Sequence, residues 1–152
     1  MQEPPRDYAS ALNKSPDGWA KAMELEYVRA TADEAVAELE VSQQHLKADS
    51  TVDEALYSGL IEAAASVGAA LYAMRWKRPV VGLENQTSFH RTVRSGRLRV
   101  TAKPLLRNRE TQIWEGRITD QLGQVIASGQ LRLVCLKEGA ALTNPIMDLT
   151  GL

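Results

Sequence analysis

The 152 residues carry 18 Lys and Arg against 19 Asp and Glu, with one cysteine and 44% hydrophobic residues. A chain of this size buries roughly two-thirds of its unfolded surface, so it suits one domain with its own core. Near-neutral charge excludes a globally basic nucleic-acid binder and a strongly charged disordered chain. The lone Cys135 excludes an internal disulfide framework and a cysteine-rich zinc site, and fits a reducing, cytoplasmic setting. The opening MQEPPRDYAS lacks the basic-then-apolar order of a secretory signal. The apolar run from Ala63 to Met74, broken by Ser66, is expected to be too short to cross a bilayer of about 30 Å, so no membrane partner is expected.

Residues 1–14 hold a Pro-Pro pair without periodicity and read as a mobile arm. Ser15-Pro16-Asp17 is a helix-start signal for a short helix from Gly18 to Leu25. Leu25 to Thr31 reads as a strand, turning at Ala32-Asp33-Glu34 into a second strand. There Ala35, Ala37, Leu39 and Val41 alternate with Val36, Glu38, Glu40 and Ser42. Gln43 to Thr51 reads as a polar loop.

From Val52 to Arg75 the period changes. There is no proline, and apolar residues recur at Leu56, Leu60, Ala64, Val67, Leu71 and Met74. The spacing predicts one helix of about 35 Å, with Asp53 and Glu54 in its first turn and Pro79 stopping the chain beyond it. After Pro79 the period is two. Val80 to Thr92, Leu98 to Arg107, Glu110 to Asp120 and Val125 to Leu136 read as four consecutive strands, a meander joined by tight turns. One long helix needs a sheet over its apolar stripe, and about six strands can curl around it. A homodimer joined edge to edge would also hide sheet edges.

Two features could carry chemistry. Glu62 lies about 200° around the helix from Leu60, on a face of small residues with Ala55, Gly59, Ser66 and Ala73. Glu62 and Ser66 are spaced i, i+4 and look into the same space; a solvent-facing Glu is the bland alternative. Between Asn85 and Arg109 stand seven basic residues (Arg91, Arg94, Arg97, Arg99, Lys103, Arg107 and Arg109) and no acidic one. Such a run is either a solvated face or a seat for a phosphate-bearing ligand, for which Arg gives bidentate contacts. Nucleic acid is not expected, since Phe89 is the one aromatic there for stacking. His45 and His90 have no partners at metal-ligand spacing, so neither metal nor cofactor is expected. Cys135 and Trp114 read as core residues.

Three stretches now carry a resemblance: VAELEVSQQHL (Val36 to Leu46), LIEAAASVGAA (Leu60 to Ala70), and Val80 to Leu133, with S-F-x-R, S-G-R-L, T-D-x-x-G and A-x-G in order. From about Gly18 to Leu136 the chain resembles the hotdog-fold acyl-CoA thioesterases, in the branch of phenylacetate-pathway, 4-hydroxybenzoyl-CoA and dihydroxynaphthoyl-CoA thioesterases. The resemblance implies an α+β hotdog fold, a long central helix wrapped by a curved antiparallel sheet, assembled as homodimers or homotetramers. It implies an acyl-CoA or related thioester as substrate, possible aryl-CoA esters included. Glu62 matches the family's acid, a nucleophile or general base, and Ser66 matches its helper. Helix-start amides would stabilise the oxyanion, and Arg91, Arg94, Arg97, Arg107 and Arg109 would face the CoA phosphates. The chain departs from the family at the helix start. His-Gly-Gly and an earlier Gln are replaced by Asp53-Glu54-Ala55 and Lys47. Glycine lets an amide approach a thioester without a Cβ in the way, whereas here two carboxylates stand near the developing charge. The alternative is therefore a non-catalytic hotdog protein that binds an acyl thioester or scaffolds a pathway. The expected layout is an arm (1–14), a hotdog domain (15–137) and a C-terminal tail (138–152).

Overall fold

The computed structural model describes residues 6–140. Three helices, α1 (Ala9–Lys14), α2 (Gly18–Ala22) and α3 (Glu54–Ala73), accompany six strands. These are β1 (Glu26–Ala30), β2 (Ala35–Glu40), β3 (Val80–Phe89), β4 (Arg97–Arg107), β5 (Thr111–Thr119) and β6 (Val125–Cys135). The helix and strand periods of the sequence thus mark the right segments, to within a few residues at each end. Every pairing is antiparallel, and β2 through β6 all pack on α3. A long helix held against one six-stranded sheet is the hotdog arrangement the resemblance implies.

The meander expectation needs correction. The sheet order is β1-β2-β4-β5-β6-β3, so β3 lies at an edge beside β6 rather than beside β4. Residues 90–96 are a crossover past the start of α3. It is tied down by bonds from the His90 and Arg91 amides to the Ile126 carbonyl and from the Val52 amide to the Val93 carbonyl. Alternation reports which face is buried, not which neighbour a strand takes.

The buried face of α3 includes Tyr57, Ile61, Ala65 and Gly68 as well as Leu56, Leu60 and Ala64, while Met74 is exposed. Two glycines set the approach of helix and sheet. A Cβ on Gly68 would lie 2.4 Å from the Trp114 ring, and one on Gly116 would lie 2.8 Å from Ile61. Trp114 is fully buried, its indole N–H donating to Gln112 Oε1 at 2.8 Å. The Gln112 amide in turn donates to the Ala69 carbonyl at 3.0 Å. Cys135 is buried and free. The 23-residue stretch Glu54–Trp76 has the length and mean hydropathy to cross a bilayer, longer than the run read from the sequence. Its apolar side, however, is spent on the core.

The N-terminal reading also needs correction. Residues 6–14 are docked rather than a free arm, with α1 lying along β1. Asn13 donates to the Tyr27 carbonyl at 2.7 Å and accepts from the Tyr27 amide at 2.8 Å. Asp7 accepts from the Ala9 and Ala30 amides, each at 2.9 Å. Residues 1–5 and 141–152, with most of the expected tail, lie outside the described residues.

Candidate active site on the central helix

Glu62 sits half-buried on the side of α3 that faces edge strand β3. Ser66 Oγ, one turn on, donates to Glu62 Oε1 at 3.4 Å. From β3, the Asn85 side-chain amide donates to Glu62 Oε2 at 3.2 Å. Gly82 completes the enclosure, since a Cβ there would lie 2.8 Å from Glu62 Oε1. Both carboxylate oxygens are therefore oriented, and the neighbouring residues Gly59, Ala63 and Ser66 are half-buried. Across that face, the Trp19 ring of α2 lies on Gly59, where a Cβ would approach it to 2.4 Å. Sequence reading finds Glu62 and Ser66 through their i, i+4 spacing. It misses Asn85 and Gly82, because an asparagine or glycine within a strand period reads as an outward position, and Trp19, because its partner Gly59 lies forty residues away in sequence.

The start of α3 is shaped by charge. Lys47 Nζ donates to both Glu54 carboxylate oxygens, at 3.0 and 2.9 Å. That hydrogen-bonded pair pulls the Glu54 carboxyl below its usual range and raises Lys47 above its own. The Asp53 carboxylate caps the helix, accepting from the Ala55 amide at 3.0 Å. The Ala55 N–H, a candidate oxyanion donor, is thus already engaged by an anion. Buried His45 sets this turn: its Nδ1 accepts from the Ser42 amide and its Nε2 faces the Met23 carbonyl, which can only accept. Both ring nitrogens are committed, and the His45 carbonyl receives the Asp53 amide. Among the described residues no three His, Cys, Asp or Glu converge as metal ligands.

Beneath this end of the helix Tyr57 is buried, its ring 6.3 Å from that of Phe89. Among the described residues its hydroxyl makes no hydrogen bond of normal geometry, with the Val93 main chain close to it, and burial raises the pKa of its phenol.

The basic run is divided. Arg91, Arg94 and Arg97 line one depression of about 450 Å³ with Asp120 and Gln121, at the end of the sheet where α3 begins. Arg94 also donates to the Asp49 carbonyl, and Arg97 pairs with Glu38 and Glu40. Arg91 borders a second depression with Arg117, which the sequence reading did not single out. Arg107 and Arg109 lie at the opposite end of the sheet. There Arg107 pairs with Asp33 at 2.5 Å, and the Arg109 carbonyl accepts from Arg78.

One long helix packed against a six-stranded antiparallel sheet defines a hotdog-fold protein, and comparison with known proteins gives its family. Residues 50–127 match the family described as Thioesterase superfamily. The Mycobacterium tuberculosis protein named "Putative esterase Rv1847" is 36% identical over 111 residues, 72% of this chain and 79% of that protein. Its solved structure superposes with a TM-score of 0.77 at 34% identity, covering 78% of this chain and 96% of that one. AziG of S. sahachiroi gives a TM-score of 0.77 at 28% identity, covering 81% and 99% of the two chains. The thioesterase HI1161 of Haemophilus influenzae shares the fold, with a TM-score of 0.81 at 20% identity over 88% of this chain and 94% of that one. This chain belongs to the thioesterase superfamily.

Proposed function

We propose that the protein hydrolyses an acyl-CoA thioester, aryl-CoA esters included, with Glu62 as nucleophile or general base. The observation that carries this reading is the half-buried Glu62 carboxylate, held from two sides by Ser66 and Asn85. As general base it would take a proton from the water attacking the thioester carbonyl. As nucleophile it would form an anhydride that water then opens. In either case the C–S bond breaks and CoA leaves as the thiol. Ser66 would orient the carboxylate or the water.

The oxyanion donors must come from a helix start, and the amides of Glu54 and Ala55 are seven to eight residues before Glu62. At about 1.5 Å per residue that separation is roughly 10–12 Å, too far for one carbonyl to meet both. We therefore take the donors from a second copy docked at the β3 edge, which makes a homodimer, or a tetramer of two such pairs, the working unit. Arg91, Arg94 and Arg97 would hold the CoA phosphates. Arg107 and Arg109 stand too far away to join the same anchor. A cytoplasmic location accompanies this reading, as CoA esters are intracellular metabolites and the one thiol is free.

The test is hydrolysis of a panel of aryl- and acyl-CoA esters. Glu62→Gln should lower kcat by about 10²–10⁴-fold, the usual worth of a positioned acid–base group, and Ser66→Ala should cost less. A second reading, a hotdog protein that binds thioesters without turnover, is favoured by one observation: Asp53 occupies the Ala55 amide. Replacing Asp53-Glu54-Ala55 by His-Gly-Gly, together with Lys47→Gln, separates the two. A rise in turnover supports a hydrolase with a weakened oxyanion site. Continued inertness of a variant that binds CoA esters supports the binding protein.

A further inference from the structure

We propose that Asn85, on edge strand β3, is the positioning residue for the Glu62 carboxylate. The inference rests on the hydrolase reading and adds to it a residue outside the central helix. The Asn85 amide nitrogen donates to the Ser58 carbonyl at 3.0 Å and to Glu62 Oε2 at 3.2 Å. Its oxygen accepts from Thr87 Oγ1 at 2.7 Å. Only one orientation of the amide satisfies these contacts. A main-chain carbonyl and an ionised carboxylate can only accept, so the NH₂ must face α3 and the oxygen must face Thr87. Turning the amide over would set its oxygen against two acceptors.

Both Asn85 N–H groups are thus used on a single turn of α3, one on its backbone and one on its acid. The Ser58 bond fixes where the donor stands, and the Glu62 bond fixes the plane of the carboxylate together with Ser66 on the other oxygen. A neutral donor orients the carboxylate without neutralising it, as a lysine would. The bare backbone at Gly82 lets β3 come close enough for this bond. Orientation of the acid then depends on where the edge strand lies, not on α3 alone.

The test uses the full-length chain and a CoA ester that it hydrolyses. Asn85→Leu keeps similar bulk and removes the donors. We expect kcat to fall by about 10- to 10²-fold, the range for a misplaced catalytic group, with KM changed by less than about threefold. Asn85→Asp keeps the shape and sets a second carboxylate beside the first. It should move the acid limb of the pH–rate profile upward by about one unit, as like charges in one site do; a merely structural residue would leave that limb in place. Thr87→Val should give a smaller loss than Asn85→Leu. A readout free of turnover is the ¹⁵N–¹H signal of the Asn85 side-chain amide, which should shift on Glu62→Gln. If no CoA ester is hydrolysed but that signal responds, the hydrolase reading fails while the Asn85–Glu62 link stands. If turnover is present and both Asn85 variants keep kcat and the pH profile, the proposal is overturned. An amide signal indifferent to Glu62→Gln overturns it equally.

Discussion

The two edges of the sheet are finished in opposite ways. At β1 the chain closes its own edge: Asn13 takes the amide and carbonyl of Tyr27, Asp7 takes the Ala30 amide, and the Tyr8 amide donates to the Ala30 carbonyl. At β3 no strand lies beyond among the described residues, and Leu83 and Phe89 are 48% and 53% exposed. An open edge with apolar side chains is a template for another strand. It is also the edge that supplies Asn85 and Gly82 to Glu62. The closed edge serves stability, and the open one adjoins the proposed site.

The sharpest way to break this contrast is to charge the open edge. The wild-type protein should be at least dimeric at micromolar concentration by light scattering, and Leu83→Arg should weaken that association by about 100-fold, since a buried unpaired charge at an interface costs several kcal/mol. A monomeric wild type would remove the second copy from the proposed site.

The closed edge should respond in stability alone. Asn13→Ala removes two hydrogen bonds to one residue of β1, so we expect a loss of about 1–3 kcal/mol in denaturant unfolding with the oligomeric state unchanged. Acid should undo the same dock. Hydrogen bonds from the Ala9 and Ala30 amides hold the Asp7 carboxyl below its ordinary 3.8. The stability it contributes is present in full above that value and is lost as pH falls through the lowered one. Hydrogen exchange at the Ala30 amide should quicken across that acid range, and Asp7→Asn should remove the pH dependence.

The contrast between edges also marks what could be read from the sequence. Alternation in Leu98, Val100 and Ala102, and the alanine-rich stripe ending at Pro79, give the strands and the helix, because burial imposes its period on hydropathy. The i, i+4 spacing brings Glu62 and Ser66 together for a different reason, since residues four apart on a helix are neighbours whatever their polarity. Docking of α1 leaves no such trace, since Asn13 and Asp7 act by polar bonds to backbone, and polar residues near Pro-Pro read as an arm. The place of β3 beside β6 is equally silent, because no periodicity names a neighbour. The basic run misleads by counting in one dimension. Arg97 and Arg107 share β4, but ten residues at about 3.3 Å each put them some 33 Å apart.

The smallest effect concerns Tyr57, at the β3 end of the core against Phe89. Among the described residues its hydroxyl makes no hydrogen bond of normal geometry and has the Val93 main chain close by, and burying a hydroxyl so poorly paired costs about 1–3 kcal/mol. Tyr57→Phe keeps the ring and its contact while removing that cost, so the variant should gain about 1 kcal/mol in denaturant unfolding. The pH dependence provides a second check. Burial raises the phenol above its ordinary 10.0, so the unfolded chain gives up this proton at lower pH than the folded one. Stability is therefore unaffected by this group below about pH 10 and declines as pH rises from there toward the raised value. Tyr27, pushed up to about 12 by burial, declines in the same direction and remains in the variant. Tyr57→Phe should accordingly soften the alkaline loss without abolishing it. An alkaline curve identical to wild type, with no gain at neutral pH, would mean that the Tyr57 hydroxyl is paired in solution, and the Val93 main chain beside it would then be its partner.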